Sequence, residues 1–285
     1  MPNETKLRIL CYNSNGIYNG RLILQVLLHS LGIDIALISE TQLPIWFEWR
    51  NPGYWTYNTR GPNMVYGGTA VLVKANIQHA YVGIPMMNSL QTTAIIVELN
   101  GLEIIIGAVY QSSVKPFEED DFDKLIGLLK RRKFIFGGKF NCKHTDWNSR
   151  LITSNGRKLA MDADKHEYAI LALDRPTHYL YQQKAAPDVL EIFLQHSYLP
   201  VDDVVALSEL NSHHFPVLLT LKCSMSTRVK PDTCHISSDV YRQQLKLIEL
   251  PSDYFLSTKS FETGIKIFSD TLKSAEFGGQ VRRPH

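Results

Sequence analysis

The stretch "TTAIIVELNGLEIIIGAVY", residues 92 to 110, constrains the fold of this chain more than any other. Two apolar, β-branched runs flank Asn100-Gly101. That dipeptide suits a two-residue type I′ turn, because both of its residues accept positive φ. A β-hairpin is expected here, and the remaining elements must be compatible with the sheet it starts. Short apolar runs of the same kind recur up to about residue 222: "LRILCYN" (7 to 13), "IDIALISE" (33 to 40), "GGTAVLVK" (67 to 74), "FIFGG" (134 to 138), "VLEIFL" (189 to 194) and "PVLLTLKC" (216 to 223). Each reads as a buried strand.

Helical patterns lie between them. "RLILQVLLHSLG" (21 to 32) has apolar residues at helical spacing and a glycine stop, and a third helix is expected at about 156 to 171. "FEEDDFDKLIGLLKRR" (117 to 132) is acidic at its start and basic at its end, as the helix dipole prefers. Strands joined by both hairpins and helical crossovers imply mixed sheets with helices outside. Two sheets packed face to face, each covered by helices, use all of these elements. Near residue 224 the texture changes. "SMSTRVKPDTCHISSD" is polar and turn-rich, and "VYRQQLKLIEL" and "KSFETGIKIFSDTLKSA" carry helical periodicity without strands. The expected organisation is a main domain over 1 to 223 and a linker-like helical tail over 224 to 285. Helices of that length are marginal alone, so the tail needs a partner or the main body.

Composition narrows the function classes. With 44% hydrophobic residues among 285, the chain is globular rather than disordered. Its 30 basic and 28 acidic residues leave a net charge of +2, so any affinity for a polyanion must come from a local patch. Cys11, Cys142, Cys223 and Cys234 are scattered without the close pairs of a zinc ribbon or disulfide framework, and free intracellular thiols are expected. The N-terminus "MPNETKLRIL" has no apolar signal region, and no uninterrupted apolar run is long enough to cross a bilayer. A soluble protein of the nucleus or cytoplasm is expected, neither secreted nor membrane-bound.

The chemistry should lie where strands end. "CYNSNG" (11 to 16), "SET" (39 to 41), "GGKFNCKH" (137 to 144) and "LNSHHFPV" (210 to 217) are clusters of polar residues that a packed core does not need. In mixed α/β folds such ends converge in a surface crevice. Carboxamides, a glutamate, a tyrosine and a histidine gathered this way suit a phosphate held beside a divalent metal.

The order Asn-x-Asn-Gly, Ser-Glu-Thr, Val-Tyr, Gly-Gly-x-Phe-Asn and Ser-x-His resembles the exonuclease-endonuclease-phosphatase superfamily. It is most similar to the apurinic-endonuclease-like domain of jockey-type non-LTR retrotransposons. "NCKHTDWNSR…NGRKL" and "APDVLEIFL" carry the likeness to that branch, which covers roughly residues 7 to 221. The resemblance implies a four-layer α/β sandwich with DNA as partner, Mg²⁺ or Mn²⁺ as cofactor and no small-molecule cofactor. It implies an endonuclease activity, the nicking of DNA by hydrolysis that primes reverse transcription. Asn13 then contacts the scissile phosphate, Asn15 lies near the metal and Glu40 binds it. Tyr110 contacts the phosphate, Asn141 sits beside the attacked phosphorus, and His214 stabilises charge on it. Glu191 stands where the family has an aspartate paired with that histidine, one methylene longer.

Two departures bear on activity. Gly138-Lys139-Phe140-Asn141 replaces the family's Gly-Asp-x-Asn, whose aspartate orients or deprotonates the attacking water. A charged lysine has three donors and no acceptor, so it cannot do this. The ammonium can avoid a neighbouring cation by swinging into solvent or by losing its proton in a buried setting. His213 likewise replaces an aspartate of the family's Ser-Asp-His. Impaired or absent hydrolysis is the expectation.

Three other readings compete. A non-catalytic nucleic-acid binder would use Lys143, Arg150, Arg157, Lys158 and the "LKRRK" run (129 to 133). A metal-dependent phosphatase belongs to the same superfamily. A zinc site from Cys142, His144, His213 and His214 has suitable ligand types but no close-paired motif. "PIWFEWRNPGYWTYNTRG" (44 to 61) holds three of the four tryptophans and fits a surface loop near a substrate groove or a satellite hydrophobic cluster. The tail resembles the linker between endonuclease and polymerase in such elements, and a truncated or decayed copy or a domesticated gene is the expectation.

Overall fold

The computed structural model describes residues 6–61, 67–113, 115–129, 132–178, 186–196, 199–208, 210, 214–223, 235–236 and 280–281. Internal contacts divide the chain into two units, Met1–Thr227 and Arg228–His285. In the second, His235–Ile236 pairs antiparallel with Gln280–Val281. The helices expected at 240 to 250 and 259 to 275 lie outside the described residues, as does Cys234.

The first unit runs β1 (Lys6–Asn13), α1 (Ile17–Ser30), β2 (Ile35–Ser39), β3 (Tyr54–Thr59), β4 (Thr69–Lys74), β5 (His79–Val82), β6 (Leu90–Leu99) and β7 (Leu102–Gln111). It continues through α2 (Glu119–Leu128), β8 (Lys133–Lys139), α3 (Ser154–His166), β9 (Tyr168–Leu171), β10 (Glu191–His196), β11 (Val201–Ala206) and β12 (Val217–Lys222). The strands form two six-stranded sheets, in the orders β11-β12-β1-β2-β4-β3 and β5-β6-β7-β8-β10-β9. Each sheet holds one parallel pair, β1 with β2 and β7 with β8, and each of these pairs is bridged by a helix. The other pairings are antiparallel. Asn100 and Gly101 turn the β6–β7 hairpin with φ of 53° and 75°, as a type I′ turn requires.

Strand alternation builds the layers. Leu7, Ile9 and Cys11 of β1 face the inter-sheet core with Leu37, Val71, Ile106, Ile135 and Phe193. Leu10 and Tyr12, on the other face of β1, pack with Leu24 and Leu28 of α1. The outer face of the second sheet, including Ile105, Phe134 and Ile192, is covered by Phe122 and Leu125 of α2 and Leu159 of α3. The result is a four-layer α/β sandwich of two mixed sheets flanked by helices.

Three helix expectations need correction. α1 starts at Ile17, four residues earlier than the apolar run suggests, because Gly16 at φ 98° turns the chain and Ile17 is buried. α2 ends at Leu128, ahead of the basic residues, so no basic side chain lies in its last turn. Lys130 and Arg131 of "LKRRK" lie outside the described residues. α3 stops at His166, since Glu167 adopts the left-handed conformation at φ 55°, and 168 to 171 forms the edge strand β9 instead of a last helical turn. Of the 44 to 61 segment, Tyr54–Thr59 is strand β3. Trp49 is buried, and Trp46 is 73% exposed.

Candidate active site

Register decides what meets. Asn13, the last residue of β1, pairs with Ser39, the last of β2, so the chain leaves both strands at one sheet edge and delivers Asn13 and Glu40 together. In the second sheet Lys139, the last residue of β8, pairs with Tyr110 on one side and Glu191 on the other. Both sets emerge at the carboxyl ends of the parallel pairs, where crevices form in such sheets. Four non-glycine residues at these tips, Asn15, Glu40, Gln42 and Asn141, have φ between 44° and 52°. Left-handed backbone costs roughly 1–3 kcal/mol at such positions and gathers at functional sites.

The side chains form one hydrogen-bonded chain across the sandwich. Glu191 accepts from Nδ1 of His214 at 2.6 Å, and Nε2 of His214 faces Nδ2 of Asn13 at 3.5 Å. Asn13 Nδ2 donates to Glu40 Oε1 at 3.1 Å. The same carboxylate oxygen accepts from Lys139 Nζ at 2.8 Å, a contact between residues of different sheets. Asn13 Oδ1 accepts the backbone N–H of Asn15 at 3.1 Å, and the Asn15 side chain is reached by Gln42 Nε2 at 3.5 Å. Asn141 Nδ2 donates to the backbone carbonyl of Gln111 at 2.7 Å, next to Tyr110. Burial, and then the charge of Glu40, push the Tyr110 hydroxyl up to about 12 against the lowering effect of its bond with Ser112. Tyr110 is thus a protonated donor at neutral pH.

Lys139 neither swings into solvent nor stands apart from the acid. Its side chain is 15% exposed and that of Glu40 10%. Glu40 carries the anionic oxygen suited to a hard cation, while Glu191 is committed to His214. Magnesium takes one or two carboxylates in near-octahedral geometry together with substrate oxygens. Here an ammonium lies 2.8 Å from Oε1 of Glu40, so a cation bound by this carboxylate would settle beside a like charge. The residues as arranged therefore do not fit Mg²⁺ or Mn²⁺ at Glu40. His213 lies outside the described residues.

The basic residues expected to bind nucleic acid are engaged differently from one another. Lys143 Nζ lies 2.8 Å from Oδ2 of the buried Asp188. Arg150 and Arg157 are exposed, and the backbone N–H of Arg150 donates to Asp188 at 3.2 Å. Lys158 lies 3.7 Å from Glu119. Burial alone would raise the Asp188 carboxyl, but Lys143 and the N–H groups of Arg150 and Val189 hold it below the usual range. A depressed carboxyl contributes stability above its unfolded value near 3.9, and loses it as pH falls through the folded value. Lys143→Ala is expected to destabilise the fold by roughly 1–3 kcal/mol, because it leaves a buried charge without its cation. It should also raise the pH of acid unfolding, which circular dichroism melts across pH 3 to 7 would read.

The zinc arrangement is not formed by its described members. Cys142 is buried, donates to the Phe140 carbonyl at 3.1 Å, and has its thiol pushed up by burial. His144 accepts the Asp146 N–H at 3.2 Å. Cys11, Cys142 and Cys223 are free and buried. Among the described residues, the potential metal-ligating group of three is Asp123, Asp162 and His166 on α2 and α3. Lys165 at 2.6 Å and the Tyr168 hydroxyl at 2.7 Å already satisfy its carboxylates.

Thr177 and His178 had no signal in the sequence. Thr177 Oγ1 accepts the N–H groups of Leu190 and Glu191, its carbonyl accepts that of Phe215, and the His178 ring lies 4.2 Å from that of His214. This segment fastens the Glu191 strand to the His214 loop, so it positions the pair. Its residues are mixed and non-periodic, and nothing in that pattern marks them.

Residues 104–218 match a protein-family model described as endonuclease-reverse transcriptase. Over 99% of its length the chain is 26% identical to an RNA-directed DNA polymerase from mobile element jockey of Drosophila melanogaster, and spans 31% of that protein. It is 28% identical to the corresponding protein of Drosophila funebris, covering 95% of this chain and 30% of that one. Among solved structures, the endonuclease domain of TRAS1, a telomere-specific non-LTR retrotransposon, aligns with a TM-score of 0.65 at 18% identity, covering 76% of this chain and 99% of that one. An AP endonuclease from Archaeoglobus fulgidus aligns at 0.56 and 15% identity, over 75% and 99% of the two chains. No helix among the described residues is long and apolar enough to cross a membrane.

Proposed function

We propose that this chain, which carries a retrotransposon-type endonuclease domain of the exonuclease-endonuclease-phosphatase superfamily, holds DNA at the crevice without hydrolysing it efficiently. The observation that carries the reading is the 2.8 Å ion pair between Lys139 and Glu40. Hydrolysis of a phosphodiester needs an acceptor within hydrogen-bond reach of the attacking water. Position 139 offers only donors, Oε1 of Glu40 is held by that lysine, Oε1 of Glu191 is held by His214, and the other Glu191 oxygen is buried away from solvent. Losing a general base removes a factor of about 10² to 10⁴ in rate.

The substrate-contacting part of the site is kept. The Tyr110 hydroxyl and the Asn141 amide supply uncharged donors of the kind that contact a phosphodiester, Asn13 and His214 back them from the buried network, and exposed Arg150 and Arg157 supply positive charge for the flanking backbone. An active nuclease is the competing reading, and the intact Asn13–His214–Glu191 relay is the observation in its favour.

An electrophoretic mobility-shift experiment with duplex DNA tests the proposal. The protein should retard DNA at low salt, release it as salt rises, and leave it uncut. Failure to retard DNA at low salt would count against the reading, and so would efficient cutting.

A further inference from the structure

We infer that the Lys139 ammonium does the electrostatic work of a divalent ion, so that the crevice binds a DNA phosphodiester without metal. The inference rests on the reading above that DNA enters this crevice, and concerns how its phosphate is held there.

The argument starts from the donors of Lys139. An ammonium has three, and Glu40 Oε1 takes one. No other partner of this ammonium occurs among the described residues, and the side chain retains 15% exposure at the edge shared by the two sheets. Its remaining donors are therefore open to a ligand. The charges agree with this. Glu40 is neutralised in place, so a phosphodiester anion entering the crevice meets the ammonium rather than an unscreened carboxylate. The neighbouring Tyr110 hydroxyl, Asn13 amide and Asn141 amide are uncharged donors and add no repulsion. Lysine is an established kind of phosphate ligand, acting as a point charge.

Glu40 changes its job in this arrangement. Its carboxylate, with Asn13 as a second donor, anchors the ammonium at the crevice in place of anchoring an ion. Glu40 is then a positioning residue for Lys139. A divalent cation would have to displace a charge-assisted hydrogen bond and settle beside a like charge, so added Mg²⁺ brings no gain in affinity.

Fluorescence anisotropy with a labelled DNA duplex, over a series of KCl concentrations, tests this with the full chain in EDTA and in MgCl₂ at matched ionic strength. The expected result is equal affinity in both buffers. Lys139→Gln should lower the slope of log affinity against log salt by about 1, the loss of one phosphate contact, and Lys139→Arg should keep it. Binding that appears only with Mg²⁺ overturns the inference and leaves the DNA-binding proposal standing. Equal binding whose salt slope is untouched by Lys139→Gln also overturns it, because the phosphate is then held elsewhere. Absence of DNA binding in either buffer sinks the DNA-binding proposal itself. The comparison of buffers uses the unmodified protein, so it decides even if a variant fails to fold.

Discussion

Lys139→Asp combined with His213→Asp is expected to convert a protein that leaves supercoiled plasmid intact into one that nicks it in Mg²⁺, with a gain of about 10² to 10⁴ in rate. The register explains why position 139 matters most. It lies between Tyr110 and Glu191 in the second sheet, and its side chain crosses to Glu40 of the first. An aspartate there supplies the missing acceptor, and removing the ammonium frees the Glu40 oxygen it now holds. His213 joins the repair because the resemblance implies an aspartate at that position of the Ser-x-His motif. Glu40→Ala in the repaired background should abolish the gained nicking. Strong cutting by the unmodified protein, lost in Glu40→Ala, would contradict this account.

Gly138→Ala should destabilise the fold by roughly 4–5 kcal/mol, among the largest effects a single substitution produces. A Cβ at this position would lie 1.7 Å from the Val109 carbonyl oxygen on the neighbouring strand β7. Backbone on that side cannot yield without opening the β7–β8 ladder, which also carries Tyr110 and Lys139 to the site. For a domain of this size each kcal/mol lowers the melting temperature by about 2–4 °C, so a drop of roughly 8–20 °C is expected by circular dichroism. Gly20→Ala is the control. It lies within α1 with nothing inside 4 Å of the added carbon, and should be neutral or stabilise by about 0.5–1 kcal/mol. Equal melting temperatures for the two variants would contradict the packing argument.

What could be read in the sequence follows from how deeply each element is buried. β2 and β8 are almost wholly buried, so their apolar runs stand out, and the Asn100-Gly101 turn fixes the hairpin. β3, β5 and β11 expose much of their length, carry mixed residues and give no continuous run. β9 escaped for a different reason: the residues before it are helical, and only the backbone of Glu167 marks the break.

The site divides in the same way. Strand ends betray themselves by a sudden change from apolar to polar, which is why Asn13, Glu40, Lys139 and Asn141 were visible. That Lys139 lies close to Glu40 follows from the resemblance alone, because Glu40 is 99 residues away, just past the end of β2, and no local pattern links them; the direct ion pair comes from the packing of the two sheets. The reach of Glu191 to His214 depends on the Thr177–His178 segment, whose contacts also cross between distant loops. The Lys143–Asp188 pair shows the converse: a basic residue assigned to nucleic acid by its type serves a buried carboxylate.

The central claim is that an ammonium, paired with Oε1 of Glu40, stands where a divalent cation at this carboxylate would have to sit. Titration of Mn²⁺ followed by electron paramagnetic resonance tests it most directly, on the unmodified protein, on Lys139→Asp, and on both with Glu40→Gln added. The account predicts no Glu40-dependent Mn²⁺ site in the unmodified protein and the appearance of one in Lys139→Asp. A tightly bound Mn²⁺ in the unmodified protein, lost when Glu40→Gln is introduced, would contradict it.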